Sequence, residues 1–191
     1  CRNSLESGLM RIISGIYGGR KVKFPNSKLV RPTTDKVKES LFNYLYNKID
    51  FDEMIAADVY AGSGSLGLEA LSRGASEVHF VEKSFQVAKV LKENIDSLNA
   101  GDECRIFNME AIKFSTLTEH VKYGLILADP PFFKNDIHLV VKNLIKNNFL
   151  EDDGILIIER SVQTRKEDVE NFGFEPFKTI GDSLIYQFIN S

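Results

Sequence analysis

The stretch Leu127-Ala128-Asp129-Pro130-Pro131-Phe132 places a carboxylate, a proline carbonyl and an aromatic ring within four residues. Each proline fixes its own φ and keeps its predecessor out of the helical region, so Asp129 and Pro130 are held extended before any ligand arrives. Pro130 has no N–H, but its carbonyl is free to accept a hydrogen bond. Such a turn suits an exocyclic base amine, a poor nucleophile because its lone pair is delocalised into the ring. The Asp129 carboxylate and the Pro130 carbonyl would accept its two N–H bonds and turn the lone pair out of conjugation. Both acceptors would bind the nitrogen more strongly as positive charge builds on it, and binding that strengthens towards the transition state lowers the barrier. Phe132, with Phe133 as the alternative, would stack on an extruded base, worth roughly 1–3 kcal/mol. Taken alone, the same residues also read as a strand-terminating turn with Phe132 in the core.

A second motif lies upstream. Asp58-Val-Tyr-Ala-Gly62-Ser-Gly64-Ser-Leu-Gly67 follows a β-branched apolar run and opens a helical pattern, the setting in which glycines let a ligand approach the backbone. Glu82 stands twenty residues after Gly62, placed to accept hydrogen bonds from both hydroxyls of a ribose. Matched literally to G-x-G-x-x-G, the loop makes a dinucleotide site a serious rival. Asp58 favours S-adenosylmethionine instead, because a carboxylate suits the cofactor's ammonium and repels a pyrophosphate. Beyond the third strand, Glu110 is placed to accept from an adenine amine and Ala111 to offer its backbone N–H. Ala61, Ser63, Gly64 and Lys83 complete the residues assigned to the cofactor.

These motifs need a scaffold that brings strand ends together. From residue 55 onward, apolar runs at 55–60, 77–82, 103–108, 124–129 and 154–159 alternate with helical stretches at 65–73, 85–98, 111–120 and 137–148, which predicts βαβ units and a parallel sheet. After a helix near 166–172, runs at 174–180 and 183–189 joined by Gly181-Asp182 predict an antiparallel hairpin. The expected fold is therefore α/β and Rossmann-like, with a mostly parallel seven-stranded sheet and a C-terminal antiparallel hairpin. Such a terminal hairpin is expected of methyltransferases more than of dehydrogenases.

The N-terminal part differs. Gly18-Gly19 suggests a small hairpin over 11–24, and Thr33 or Thr34 caps a helix with Val37, Leu41 and Leu45 on one face. Between residues 10 and 41, eight cations face two acids, a local +6 in a chain of net charge −3. A basic segment on an acidic body suits a localised contact with phosphates. Arg11, Arg20, Lys21, Arg31, Thr33 and Lys38 are the expected RNA contacts.

A chain of 191 residues, 43% of them hydrophobic, has room for one substantial core. Residues 1–9 read as a leader, 10–50 as the basic extension and 51–191 as the methyltransferase domain. Cys1 and Cys104 support neither a disulfide framework nor a metal site, and no apolar run approaches a membrane span or a signal peptide. A cytoplasmic, monomeric protein without an obligate protein partner is expected. His79 reads as a packed strand residue, and no Ser-His-Asp arrangement is recognisable.

Together, Met10-Arg-Ile-Ile-Ser-Gly15, the Gly18-Gly-Arg-Lys21 turn, Arg31-Pro-Thr33, Lys38-Glu-Ser-Leu-Phe42, 58–64, 66–75 and Asp129-Pro-Pro-Phe132 resemble the bacterial RsmD-type 16S rRNA guanine-N2 methyltransferases. The glycine loop and Asp-Pro-Pro-Phe occur in many amine methyltransferases, and the basic segment with Arg-Pro-Thr is more particular. The resemblance implies a class I S-adenosylmethionine-dependent enzyme making N2-methylguanine in 16S rRNA, at the position conventionally numbered 966, within an assembled small subunit. It places Gly62 and Gly64 against the cofactor, Glu82 on its ribose and Asp129 to Phe132 on the guanine. Family members commonly carry Leu-Phe where this chain has Val59-Tyr60. The alternatives are a DNA or protein amine methyltransferase with the same turn, and a nicotinamide-dependent oxidoreductase.

Overall fold

The structure is a computed structural model that describes residues 8–24, 34–131 and 136–190. A hairpin of β1 (Gly8–Arg11) and β2 (Lys21–Phe24) is followed by α1 (Asp35–Tyr46). Five strands then alternate with helices: β3 (Ile55–Val59), α2 (Ser65–Ser72), β4 (Glu77–Val81), α3 (Phe85–Ser97), β5 (Cys104–Phe107), α4 (Ala111–Ser115), β6 (Tyr123–Ala128), α5 (Asp136–Lys146) and β7 (Leu150–Ser161). A 3-10 turn and α6 (Arg165–Phe172) lead into the terminal hairpin of β8 (Lys178–Ile180) and β9 (Ser183–Ile189). The strand order β5-β4-β3-β6-β7-β9-β8 is parallel from β5 through β7 and antiparallel beyond, as the sequence predicts.

The strands at the centre are apolar on both faces because helices cover both. On one face the hairpin, α1, α2 and α3 bury Val22, Leu41, Leu68 and Leu91; on the other, α4 and α5 bury Phe114, Ile137, Val140 and Leu144. Helical spacing accounts for this: Ala88, Leu91, Ile95 and Leu98 fall on one stripe of α3 and its C-terminal cap. Ser84 and Thr34 cap α3 and α1 by accepting from the N–H groups of Val87 and Val37.

Boundaries shift where a local bond intervenes. The helix expected over 111–120 stops at Ser115, where the Ser115 and Thr116 hydroxyls turn back onto the carbonyls of Ile112 and Lys113. β7 is longer than expected because β9 continues to pair with it out to Ser161. β8 is shorter, consistent with Pro176 lacking a donor. β1 begins at Gly8 and pairs Leu9 with Lys23, so the strand enters the segment read as a leader.

The loop between β1 and β2 is fastened to α2. Glu69, fully buried, accepts from the N–H groups of Ile13 at 2.7 Å and Ser14 at 3.1 Å, and the Ser72 hydroxyl accepts from Tyr17 N–H at 2.9 Å. Gly15 sits at φ +84°, where a Cβ would lie 1.7 Å from the Ser72 carbonyl oxygen. Gly15→Ala is therefore expected to destabilise the fold by about 2–3 kcal/mol, from strain together with backbone displacement. A urea midpoint within error of wild type would contradict this account of the clamp.

Candidate active site

The chain runs outward from β3 to β4 and β5, then crosses back to start β6 on the other side of β3. Ligands in open α/β sheets bind outside the carboxyl ends of the strands at such a reversal. The registers sharpen this. Val59 pairs with both Val81 and Ala128, and Val81 pairs with Phe107, so β3, β4, β5 and β6 end level with one another. The next residues along each strand are Tyr60, Glu82, Asn108 and Asp129. Four chain segments far apart in sequence thus deliver the glycine loop, the ribose candidate, the adenine candidates and the Asp-Pro-Pro turn to one sheet edge.

Asp58 points from β3 towards α2 and is almost fully buried, its Oδ2 accepting from Gly67 N–H at 2.8 Å. Gly64 is the N-cap residue of α2 with no side chain to cap with, and Asp58 supplies the missing acceptor from the neighbouring strand. Burial pushes the Asp58 carboxyl up to about 7, the Gly67 bond opposes this, and the Glu82 charge adds to it. Gly67 permits the contact: a Cβ there would come within 2.3 Å of the Phe80 ring and 3.0 Å of the Asp58 Cβ.

Glu82 is held by two backbone donors, Oε2 accepting from Gly62 N–H at 3.0 Å and Oε1 from Ser84 N–H at 2.7 Å. Asn108 fixes its backbone, donating from Nδ2 to the Glu82 carbonyl at 2.7 Å. Gly62 has φ +56° and nothing within 4 Å of an added Cβ, a cradle open to a ligand. Ala61 and Ser63 are buried beneath it, whereas Lys83 and Glu110 are exposed. Glu110 caps α4 by position only, its carboxylate making no capping bond, and Ala111 opens that helix.

Asp129 is half-buried, Pro130 buried and Pro131 exposed, at the end of a strand whose six residues are all buried. Phe132 lies outside the described residues, as do Arg31 and Thr33. Tyr60 was not anticipated as a site residue. It takes φ +70°, a strained value for a bulky residue, and its hydroxyl donates to Asp136 Oδ1 at 3.1 Å, linking the end of β3 to the start of α5. Nothing in its residue type signals that backbone geometry.

The basic segment divides. Arg20 and Lys21 are exposed, Arg20 reaching the Ser97 carbonyl at 2.7 Å, and Arg11 is exposed with Asp35 3.5 Å away. Such exposed pairs are weak and leave these side chains available to phosphate. Lys38 corrects the expectation that it contacts RNA. It is 1% exposed, with Nζ donating to the Arg11 carbonyl at 2.5 Å and the Ser65 hydroxyl at 3.3 Å, and Glu69 lies 3.9 Å away. Burial pushes its pKa down against the pull of Glu69, so the ammonium is an internal strut. His79 is packed as expected, between Tyr123 and Glu77. Among the described residues, no helix is long and apolar enough to cross a membrane.

The same architecture recurs in known proteins. A family model described as Conserved hypothetical protein 95 matches residues 10–189. Ribosomal RNA small subunit methyltransferase D of Haemophilus influenzae is 36% identical over 176 residues, covering 91% of this chain and 90% of that protein. The protein of the same name from Escherichia coli K12 is 37% identical over 161 residues, 84% of this chain and 79% of that one. The solved structure of Escherichia coli yhhF, 30% identical, superposes with a TM-score of 0.81 over 96% of this chain and 99% of its own. With its class I methyltransferase fold and a match spanning nearly its whole length, the chain belongs to the family of ribosomal RNA small subunit methyltransferase D.

Proposed function

We propose that this protein transfers a methyl group from S-adenosylmethionine to the exocyclic N2 amine of a guanine in 16S rRNA, at position 966 by family resemblance, within the small ribosomal subunit in the cytoplasm. The observation that carries the reading is the level ending of β3, β4 and β6, which sets Asp129 and Pro130 beside Gly62 and Glu82 on one sheet edge. The names of the relatives support ribosomal RNA as the substrate.

The residues present fit this cofactor. Glu82, fixed by two N–H donors, retains lone pairs on both oxygens for a ribose diol, and Gly62 leaves room for close approach. A buried carboxyl beneath the loop, in its ionised form, suits a cationic ligand and disfavours a pyrophosphate, which argues against the nicotinamide alternative. When bound, S-adenosylmethionine supplies an electrophilic methyl on its sulfonium. Asp129 and the Pro130 carbonyl then hold the amine's two N–H groups and aim its lone pair in line, a contribution of positioning and electrostatics. Phe132 is assigned the stacking role, and Arg11, Arg20, Lys21, Arg31 and Thr33 the RNA contacts.

The decisive experiment incubates radiolabelled S-adenosylmethionine with small subunits lacking the modification, with naked 16S rRNA and with mature subunits. Label recovered as N2-methylguanine from unmodified subunits is the expected result. Cofactor binding without label in any RNA would remove the substrate assignment and leave the cofactor site.

Asp58 makes cofactor binding depend on pH. Its carboxyl is raised from 3.8 to about 7 in the folded chain, so ionising it costs stability progressively as pH rises across that interval. A cofactor ammonium near it favours the ionised form, which is about a tenth populated at pH 6 and about nine-tenths at pH 8 for a group titrating near 7. Affinity for S-adenosylmethionine is therefore expected to rise roughly fivefold from pH 6 to pH 7, below the range near roughly 7.7–8.0 where the cofactor's own α-amino group loses its charge. Asp58→Asn should bind more weakly and flatten the profile. Calorimetry across that range decides it, and a wild-type profile without slope would separate Asp58 from the cofactor.

A further inference from the structure

Gly64, at φ +88°, is where the loop turns into α2, and both of its neighbours are held by side chains anchored in the N-terminal hairpin. Asn94, on α3 and 1% exposed, donates from Nδ2 to the Ser63 carbonyl at 3.0 Å. The same amide pairs with β2 as a strand would: Nδ2 donates to the Lys23 carbonyl at 2.9 Å, and Oδ1 accepts from Lys23 N–H at 2.8 Å. These bonds use both amide donors. On the other flank of Gly64, the Lys38 ammonium joins the Ser65 hydroxyl to the Arg11 carbonyl of β1. Each hairpin strand is thus tied by one buried side chain to one side of the loop's turning point.

A loop rich in glycine has many backbone conformations open to it, and its order must come from what surrounds it. Here the surroundings include a two-stranded hairpin that packs on the domain from outside the main sheet. We infer that Asn94 and Lys38 are positioning residues through which the N-terminal hairpin sets the shape of the glycine loop. Disturbing the hairpin backbone loosens the loop, and a nucleic acid seated on Arg20 and Lys21 of that hairpin bears on the loop through the same bonds. This inference rests on the proposed reading of the loop as the cofactor site.

Two variants test it from opposite ends. Asn94→Ala removes the bridge. Lys23→Pro leaves Asn94 in place and removes the hairpin N–H bonded to its Oδ1, together with the exposed Lys23–Glu93 ion pair, without touching the loop. The readouts are hydrogen exchange at the Gly64 amide, which donates to the Ala61 carbonyl at 2.8 Å, and calorimetric binding of S-adenosylhomocysteine. In both variants Gly64 exchange should rise about tenfold or more and affinity should fall about tenfold, with the amides of α5 on the opposite face of the sheet unchanged. A purely structural role would accelerate exchange in α5 equally. Gly64 protection at the wild-type level in both variants overturns the inference. Faster Gly64 exchange in a protein whose wild type ignores S-adenosylhomocysteine upholds the positioning role and removes the cofactor reading instead.

Discussion

Asp129→Ala is expected to lower kcat for methyl transfer by about 10³-fold, roughly 4 kcal/mol, with the cofactor dissociation constant within about twofold of wild type. The asymmetry follows from where Asp129 lies. It directly follows a strand whose own six residues are all buried. In the proposed mechanism it accepts from an amine that gains positive charge only as the methyl arrives, so its strongest interaction belongs to the transition state. Asp129→Asn keeps an acceptor of similar shape without the charge and should retain more activity than alanine. Circular dichroism and calorimetry on the same samples separate chemistry from folding. A kcat within tenfold of wild type for the folded alanine variant would remove Asp129 from the mechanism.

The placement of the candidate residues at one sheet edge was legible in the sequence because each follows directly on a readable strand. Asp129 and Pro130 stand directly after β6, and Gly62 and Gly64 both take positive φ, Gly62 with open space beside it and Gly64 packed against Leu91, Leu68 and Phe80. The parallel sheet was readable because its strands are bounded by glycine, proline and polar punctuation, and because α3 and α5 repeat their apolar residues at helical spacing. What escaped was interaction at a distance. Lys38 looks like any cation in a basic stretch, and its burial depends on Glu69 and Ser65, some thirty residues further on, coming to meet it. Asn94 reads as a polar residue on an amphipathic helix, yet its amide completes an edge strand some seventy residues away. Tyr60 gives no sign that the chain must turn left-handed there. In each case a polar group is satisfied by a partner that only the folded chain supplies, and local pattern carries no information about such partners.

Glu82→Ala is expected to raise the dissociation constant for S-adenosylmethionine about 10²-fold or more, since the proposed ribose contacts are two hydrogen bonds to a charged group at roughly 1.5–3 kcal/mol each. The substitution also strands the N–H groups of Gly62 and Ser84, which lie 22 residues apart and which the carboxylate now draws together. The loss should therefore appear equally with S-adenosylhomocysteine and in proportion with adenosine alone, whose ribose makes the same contacts. Glu82→Gln keeps one acceptor oxygen and should fall between. Lys83 and Glu110, whose side chains are exposed, should each cost far less when replaced. An adenosine affinity unchanged by Glu82→Ala would mean that the carboxylate braces the loop without touching the ribose. On the proposed reading, substitution at Glu82 is expected to act on ground-state binding and substitution at Asp129 on the chemical step, so the two variants separate the proposed cofactor half of the crevice from the proposed amine half.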